Sequence, residues 1–256
     1  MNKTEIIEAL KERGYSIKED VVNKNGVKKD ALIIKTKNDI YPVIYPEQFE
    51  ETEDIEEIIE FIKMAQIKTP LTTIDFKNAV FNKEYILSNV FLGIVKKGNT
   101  SKNNISFDSN IEGYENNLIL PIFLKDNMAT VHLNNFILEE AGLPLKEVIE
   151  AAKKNTSSNI KVVKTDESGI IIFTNKYGLR GAGSIHCIDT IRENFPESSK
   201  VACIPSSIHE WFVMDADTLT EKDIDVLNKT LTFSNEELPP EDVLGEEIII
   251  LQLKEE

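Results

Sequence analysis

Residues 203–215 read CIPSSIHEWFVMD and place two serines, a histidine and a glutamate within five positions, between two apolar runs. Those types suit a nucleophilic relay in which Ser206 or Ser207 attacks, His209 takes the proton and Glu210 orients the imidazole. Strand geometry opposes it. In an extended chain Ser207 and His209 point to one side and Glu210 to the other, so the acid cannot back the ring. A nucleophile elbow would need G-x-S-x-G, which the sequence lacks. The simpler reading is a corner. Pro205 ends a strand over 200–204, Ser206 and Ser207 bond neighbouring backbone groups, and the chain returns as WFVMD. His209 and Glu210 then order the bend or present a polar recognition point. The enzymatic alternative is a hydrolase or transferase with His209 as general base, Glu210 or Asp189 as helper, and Ser206 or Ser207 near the substrate.

A second candidate is Gly178-Leu179-Arg180-Gly181-Ala182-Gly183-Ser184, set between a strand and a helix. Glycines let backbone amides converge on anionic oxygens at a helix start. The spacing approaches a nucleotide-binding loop, but the lysine expected before the hydroxyl residue is absent. What remains is a small-anion site using Arg180, Gly181, Gly183 and Ser184, or a tight turn of small residues. The three histidines, His132, His186 and His209, have no local partner at metal-ligand spacing. No metal site and no cofactor is expected.

The net charge of −15 opposes direct nucleic-acid binding through phosphates, which needs clustered Lys and Arg. Eight acids and no base lie between Glu47 and Glu60, and eight more against Lys254 from Glu236 onward. Such runs are solvated faces that keep a chain in solution. They also suit docking of a basic protein partner, and Glu50, Glu51, Glu53, Asp54 and Glu57 are the candidate residues. A face that imitates a nucleic-acid backbone is a variant of the same idea. No run of about 18 apolar residues occurs, so no membrane span is expected. Cys187 and Cys203 lack C-x-x-C spacing and sit in apolar context, which suits reduced thiols in the cytoplasm.

The elements that must position these groups follow from periodicity. Ile6, Ile7, Ala9 and Leu10 share one side of a helix over 4–13, with Thr4 as cap and Gly14 as stop. Asn25-Gly26 predicts a hairpin turn, followed by an edge strand at 40–45 that contains Pro42. Ile55, Ile58, Ile59 and Ile62 predict a helix over 53–65 with its acids outward. Residues 72–98 predict a helix and then a strand, with no clear boundary. A hairpin turning at Asp126-Asn127, a short helix ending at Gly142 and a longer one from Pro144 come next. Then come a strand at 170–176, a helix over 181–194, the strand pair of the corner, a helix capped by Thr220, and a final strand at 246–253. Mixed elements with several hairpins and no βαβ alternation predict an α+β fold with mixed, largely antiparallel sheets and packed amphipathic helices. The polar stretch 99–110 is the expected division between an N-terminal half, 1–110, and a C-terminal half, 111–256, unless the chain forms one continuous domain.

The segments NKNGVKKDALIIKT, YPVIYPEQF, NMATVHLNNFILEEAGLPLKEVIEAAKKNT, FTNKYGLRGAGSIHCIDTI, IPSSIHEWFVM and PPEDVLGEEI resemble, in order, a domain-of-unknown-function family of low-GC Gram-positive bacteria. The resemblance is weakest over 66–118, and a fainter one extends to a second bacterial family. It implies one architecture along the chain and makes Pro205-Ser206-Ser207-Ile208-His209-Glu210 part of a family pattern. It carries over no activity and no catalytic residue. The reading that follows is a non-enzymatic protein-binding or adaptor module. The corner enzyme and the small-anion sensor are the alternatives.

Overall fold

The computed structural model describes the chain except residues 25–26, 36–40, 53, 69–77, 99, 101–103, 112–113, 115, 125–129, 166–168 and 255–256, and the side chains of 65–68. The expected turns at Asn25-Gly26 and Asp126-Asn127 and the acid Glu53 lie outside the described residues. The chain divides into two compact units, Met1–Ala79 and Val80–Glu256. The expected division near 110 differs because strand Ser106–Asp108 pairs with Asn116–Ile119, so the chain at 110 passes between two strands of one sheet.

The first unit contains helix α1 (Lys3–Glu12), strands β1 (Ser16–Lys24), β2 (Val27–Lys35) and β3 (Val43–Ile44), and helix α2 (Ile55–Lys68). Asn2 rather than Thr4 caps α1: its side chain accepts from Glu5 N–H while Glu5 returns the bond to Asn2 N–H. Gly14 follows at φ +83°, a left-handed conformation that ends the helix without Cβ strain. The sheet order is β1-β2-β3, all antiparallel, and Ile34 N–H donates to Pro42 O beyond the short third strand. The core joins Ile6 and Leu10 of α1, Leu32 and Ile34 of β2, and Ile58 and Ile62 of α2. The isoleucine spacing read in the sequence is thus the buried stripe of α2.

The second unit starts with helix α3 (Lys83–Asn89) and strand β4 (Gly93–Lys96). Strands β5 (Ser106–Asp108) and β6 (Asn116–Ile119) complete a sheet of order β4-β6-β5, and β7 (Pro121–Phe123) pairs with β8 (Thr130–His132). Helices α4 (Asn135–Ala141) and α5 (Leu145–Asn159) follow, joined through Gly142 in the left-handed conformation and Pro144 as the cap of α5. The main sheet has order β13-β11-β12-β10-β9, built from β9 (Ile160–Lys164), β10 (Ile171–Asn175), β11 (Lys200–Ser207), β12 (Glu210–Asp215) and β13 (Ile249–Gln252). Helix α6 (Ile188–Asn194) precedes β11, and α7 (Glu221–Glu236) follows β12 behind a Thr220–Asp223 capping box. Every strand pairing is antiparallel and helices are interspersed, so the fold is α+β. Among the described residues no helix is long and apolar enough to cross a membrane.

The helix expected over 181–194 is two pieces, a 3-10 segment Gly181–His186 and then α6, with Cys187 between them. Gly181 and Gly183 of the first piece press so closely on neighbouring backbone that a Cβ at either would clash. On the main sheet Ile171, Val213, Cys203 and Ile249 stand opposite one another across four strands, all buried, and Phe173 faces Trp211 beside them. Alternation with period two puts these residues on one face. Trp211, the chain's sole tryptophan, is fully buried, and its indole N–H donates to Ala182 O at 2.8 Å. We expect Trp211→Ala to cost about 3–5 kcal/mol in urea unfolding. Wild-type fluorescence should be blue-shifted until the second unit melts; an unchanged urea midpoint would contradict this packing.

Candidate functional site

The corner is a two-residue turn, Ile208-His209, between β11 and β12, with Ser207 paired to Glu210. The register shifts between Ile204 and Ser207, so the strand bulges at Pro205-Ser206, where Pro205 offers no N–H to the ladder. Ser207 Oγ accepts from His209 N–H at 3.1 Å, the backbone-bonding role its sequence context suggests.

Three separate segments hold the turn. Ile208 N–H donates to Asp242 O at 3.0 Å, and Ala182 N–H donates to Ile208 O at 3.2 Å. Thr174 Oγ1 donates to His209 O at 2.8 Å. Arg180 N–H donates to the His209 ring at Nδ1, at 2.9 Å. That last bond fixes the tautomer: Nδ1 spends its lone pair on a backbone donor, so the ring hydrogen resides on Nε2. Nε2 lies 3.8 Å from Asp242 Oδ2.

These contacts separate the residues of the relay that strand geometry already opposed. Ser207 receives a bond from the His209 backbone rather than donating to its ring. Glu210 is committed to the strand pair, and the carboxylate nearest Nε2 is that of Asp242. Asp189 pairs with Arg192 at 3.3 Å and is almost fully exposed. The His209 nitrogen that would have to accept a proton from serine is thus occupied or faces an acid. Sequence reasoning missed the part played by Asp242 and Thr174 because they lie far from the corner in the chain. The one signal was PPEDVLGEEI, which includes Asp242.

The glycine segment packs against this turn. A Cβ on Gly181 would lie 2.6 Å from both Asn175 N and His209 O, and one on Gly183 would collide with Leu92 O. The glycines therefore permit backbone-to-backbone contact. The N–H groups of Arg180 and Ala182 are spent on His209 and Ile208, so these two amides are directed at the turn. Arg180 itself has φ +54°, a left-handed conformation for a non-glycine residue. Ser184 is buried, and among the described residues its hydroxyl has no partner.

Arg180 brings a charge into this polar cluster. Burial pulls its guanidinium below the ordinary value, and Asp242 opposes that shift. Burial, and then the Arg180 charge, press His132 down to about 4. Its Nδ1 lies 3.1 Å from Asn104 Nδ2, so the amide donates to the neutral ring. His186 is held down to about 4 as well, by burial first and Lys153 second. Among the described residues no group of three or more His, Cys, Asp or Glu is placed to hold a metal ion. Cys187 and Cys203 are buried and unbridged, and burial raises both thiols.

The candidate docking acids lie in the first unit. Glu50, Glu51, Asp54 and Glu57 are exposed, and Glu53 is outside the described residues. Glu56, next to Glu57, is engaged by Arg13 at 2.9 Å, and Glu47 by Lys29 at 2.7 Å. Among the described residues Glu50, Glu51, Glu57 and Glu60 form no ion pair. On α2, Glu57, Glu60, Phe61 and Met64 follow the i, i+3, i+4, i+7 spacing of one helical face. Phe61 is 42% and Met64 50% exposed, and the Phe61 ring meets Phe49 edge-on at 5.6 Å. Comparison with protein-family models, with curated proteins and with solved structures finds no match.

Two outcomes follow from the second unit. Gly183→Ala should lower stability by roughly 3 kcal/mol or more, read as the urea midpoint, because the Leu92 carbonyl belongs to fixed backbone; a neutral result would refute the contact. His132 and His186 take up protons in the unfolded chain near 6.5 but in the folded chain only near about 4. Their contribution is therefore complete above the unfolded value and is lost as pH falls from about 6.5 toward 4, by roughly 2–3 kcal/mol each. The melting temperature should fall across that window, and His132→Gln should make the fall shallower. A flat profile for the wild type would contradict the burial of both rings.

Proposed function

We propose that the chain is a non-enzymatic protein-binding module of the cytoplasm whose α2 face docks a basic, amphipathic partner segment. The observation that carries this is the stripe of Glu57, Glu60, Phe61 and Met64 on one face of α2, with Glu50 and Glu51 on the neighbouring 3-10 turn and loop. Exposed Phe and Met offer an adaptable apolar anchor, and carboxylates without ion pairs attract and orient lysine or arginine. Acids alone would serve solubility; an aromatic and a thioether among them serve contact. The corner supports the non-enzymatic half of the reading, since His209 is bonded as a structural group. The two buried free thiols support a reducing compartment.

The probe is a labelled amphipathic helical peptide of lysine and leucine, about 20 residues long, followed by anisotropy at low and high salt. Binding should weaken steeply with salt. The double variant Phe61→Ser, Met64→Ser should weaken it about tenfold, as expected for loss of a contact anchor. Glu50→Gln with Glu57→Gln should slow association more than it speeds dissociation. All four positions are exposed, so the glutamine pair should keep the wild-type melting temperature and the serine pair should lower it only by the lost Phe61–Phe49 edge contact. Absence of binding, or binding indifferent to both pairs, would overturn the proposal.

A further inference from the structure

The second unit holds a small pocket between α3, α5, the end of β10 and the 3-10 segment, with about 30 Å³ of water-accessible space. Every lining side chain is uncharged. A phosphate or carboxylate would find no lysine or arginine there, and a divalent cation no carboxylate. The pocket is nonetheless polar, and its polarity has a direction.

Three asparagines supply that direction. Asn155 Nδ2 donates to Leu87 O at 2.9 Å and to Val90 O at 2.8 Å, so both its N–H bonds are spent. Asn159 Nδ2 donates to Asn155 O at 2.7 Å, and Asn89 Nδ2 to Tyr85 O at 2.9 Å. These bonds to main-chain carbonyls fix which end of each amide is nitrogen. Among the described residues no donor reaches the Oδ1 atoms of the three, which leaves acceptors along one wall. Ser184, a residue 1% exposed, adds a hydroxyl with no partner among the described residues. A buried polar atom left unmet costs free energy that a ligand can recover.

The opposite character comes from aromatic rings. Phe91 and Phe123 stack at 4.1 Å and 11°, and Tyr177 meets Phe123 at 4.3 Å; all three line the pocket. The Lys176 ammonium sits over the Tyr177 ring at 4.8 Å without lining the cavity, which disfavours a cationic guest. The volume admits on the order of two water-sized groups, the end of a molecule rather than a whole nucleotide.

We propose that this pocket binds the primary carboxamide end of a neutral small molecule. The two amide N–H bonds go to Oδ1 of Asn155 and Asn159, the amide carbonyl accepts from Ser184 Oγ–H, and the planar group lies against the phenylalanine wall. This assigns Ser184 to a neutral ligand rather than to an anion.

The test uses the full chain, uniformly ¹⁵N-labelled, titrated separately with acetamide, acetate and methylammonium. Acetamide should shift the side-chain amide signals of Asn155 and Asn159 and the backbone signal of Ser184, and the shifts should saturate. Acetate, of similar shape but without an N–H, and methylammonium, a cation, should produce no saturable shift. Ser184→Ala should keep or raise the melting temperature, since its hydroxyl is unmet in the free protein, and should weaken acetamide binding about three- to tenfold. Asn159→Leu should weaken it further. No saturable acetamide response would overturn the proposal, as would an equal response to acetate or methylammonium, or an unaltered affinity in Ser184→Ala.

Discussion

The second unit is organised around the backbone of two residues, Ile208 and His209. A hairpin turn ordinarily leaves its polar groups to water, whereas here four of them meet partners from three distant segments. Each such bond is modest by itself, about 1 kcal/mol net. Their value is geometric, because together they fix where β10, the glycine segment and the loop at Asp242 lie relative to one another. Gly181 is required because the His209 carbonyl occupies the space a Cβ would need. Trp211 then locks the same segment from the sheet side through Ala182 O. Turn, glycines and tryptophan form one packing problem with one solution.

That solution removes the chemistry a reader of the sequence would first assign to Ser-Ser-Ile-His-Glu. A general base needs a free lone pair within reach of the group it deprotonates. The Nδ1 of His209 gives its lone pair to a main-chain donor, and its Nε2 faces Asp242. The same imidazole that suggests catalysis thus does the work of a backbone acceptor, holding Arg180 in a left-handed conformation. Arg180, in turn, enters a partly buried environment where Asp242 supplies the opposing charge and His132 stays neutral. Charge burial of this kind is tolerated when the surrounding bonds are complete.

Local signals were legible and distant ones were not. Isoleucines at helical spacing identified α2, and Gly142, Pro144 and the Thr220 box marked helix ends, because each depends only on nearby residues. The role of Ser207 was readable for the same reason. Asp242 was legible only as part of the resembling segment PPEDVLGEEI, since no local spacing shows that its carbonyl closes a turn far upstream. The helix expected over 181–194 is broken at Cys187, and the first piece holds two glycines that meet backbone from other elements, tertiary contacts that periodicity does not record. The cap of α1 moved from Thr4 to Asn2 because both residues are good caps, and the reciprocal Glu5 bond selects between them. The division fell at 79 rather than 110 because a polar stretch does not reveal that a short strand lies inside it.

The position of Asp242 also sets an order of events during synthesis. Strands β10, β11 and β12 precede it in the chain. Until residue 242 emerges, Ile208 N–H lacks its acceptor and Arg180 lacks its opposing carboxylate. Until Ile249 emerges, β11 presents an open edge with Cys203 along it. The nascent sheet therefore waits, edge exposed, for a segment translated after the long α7 helix.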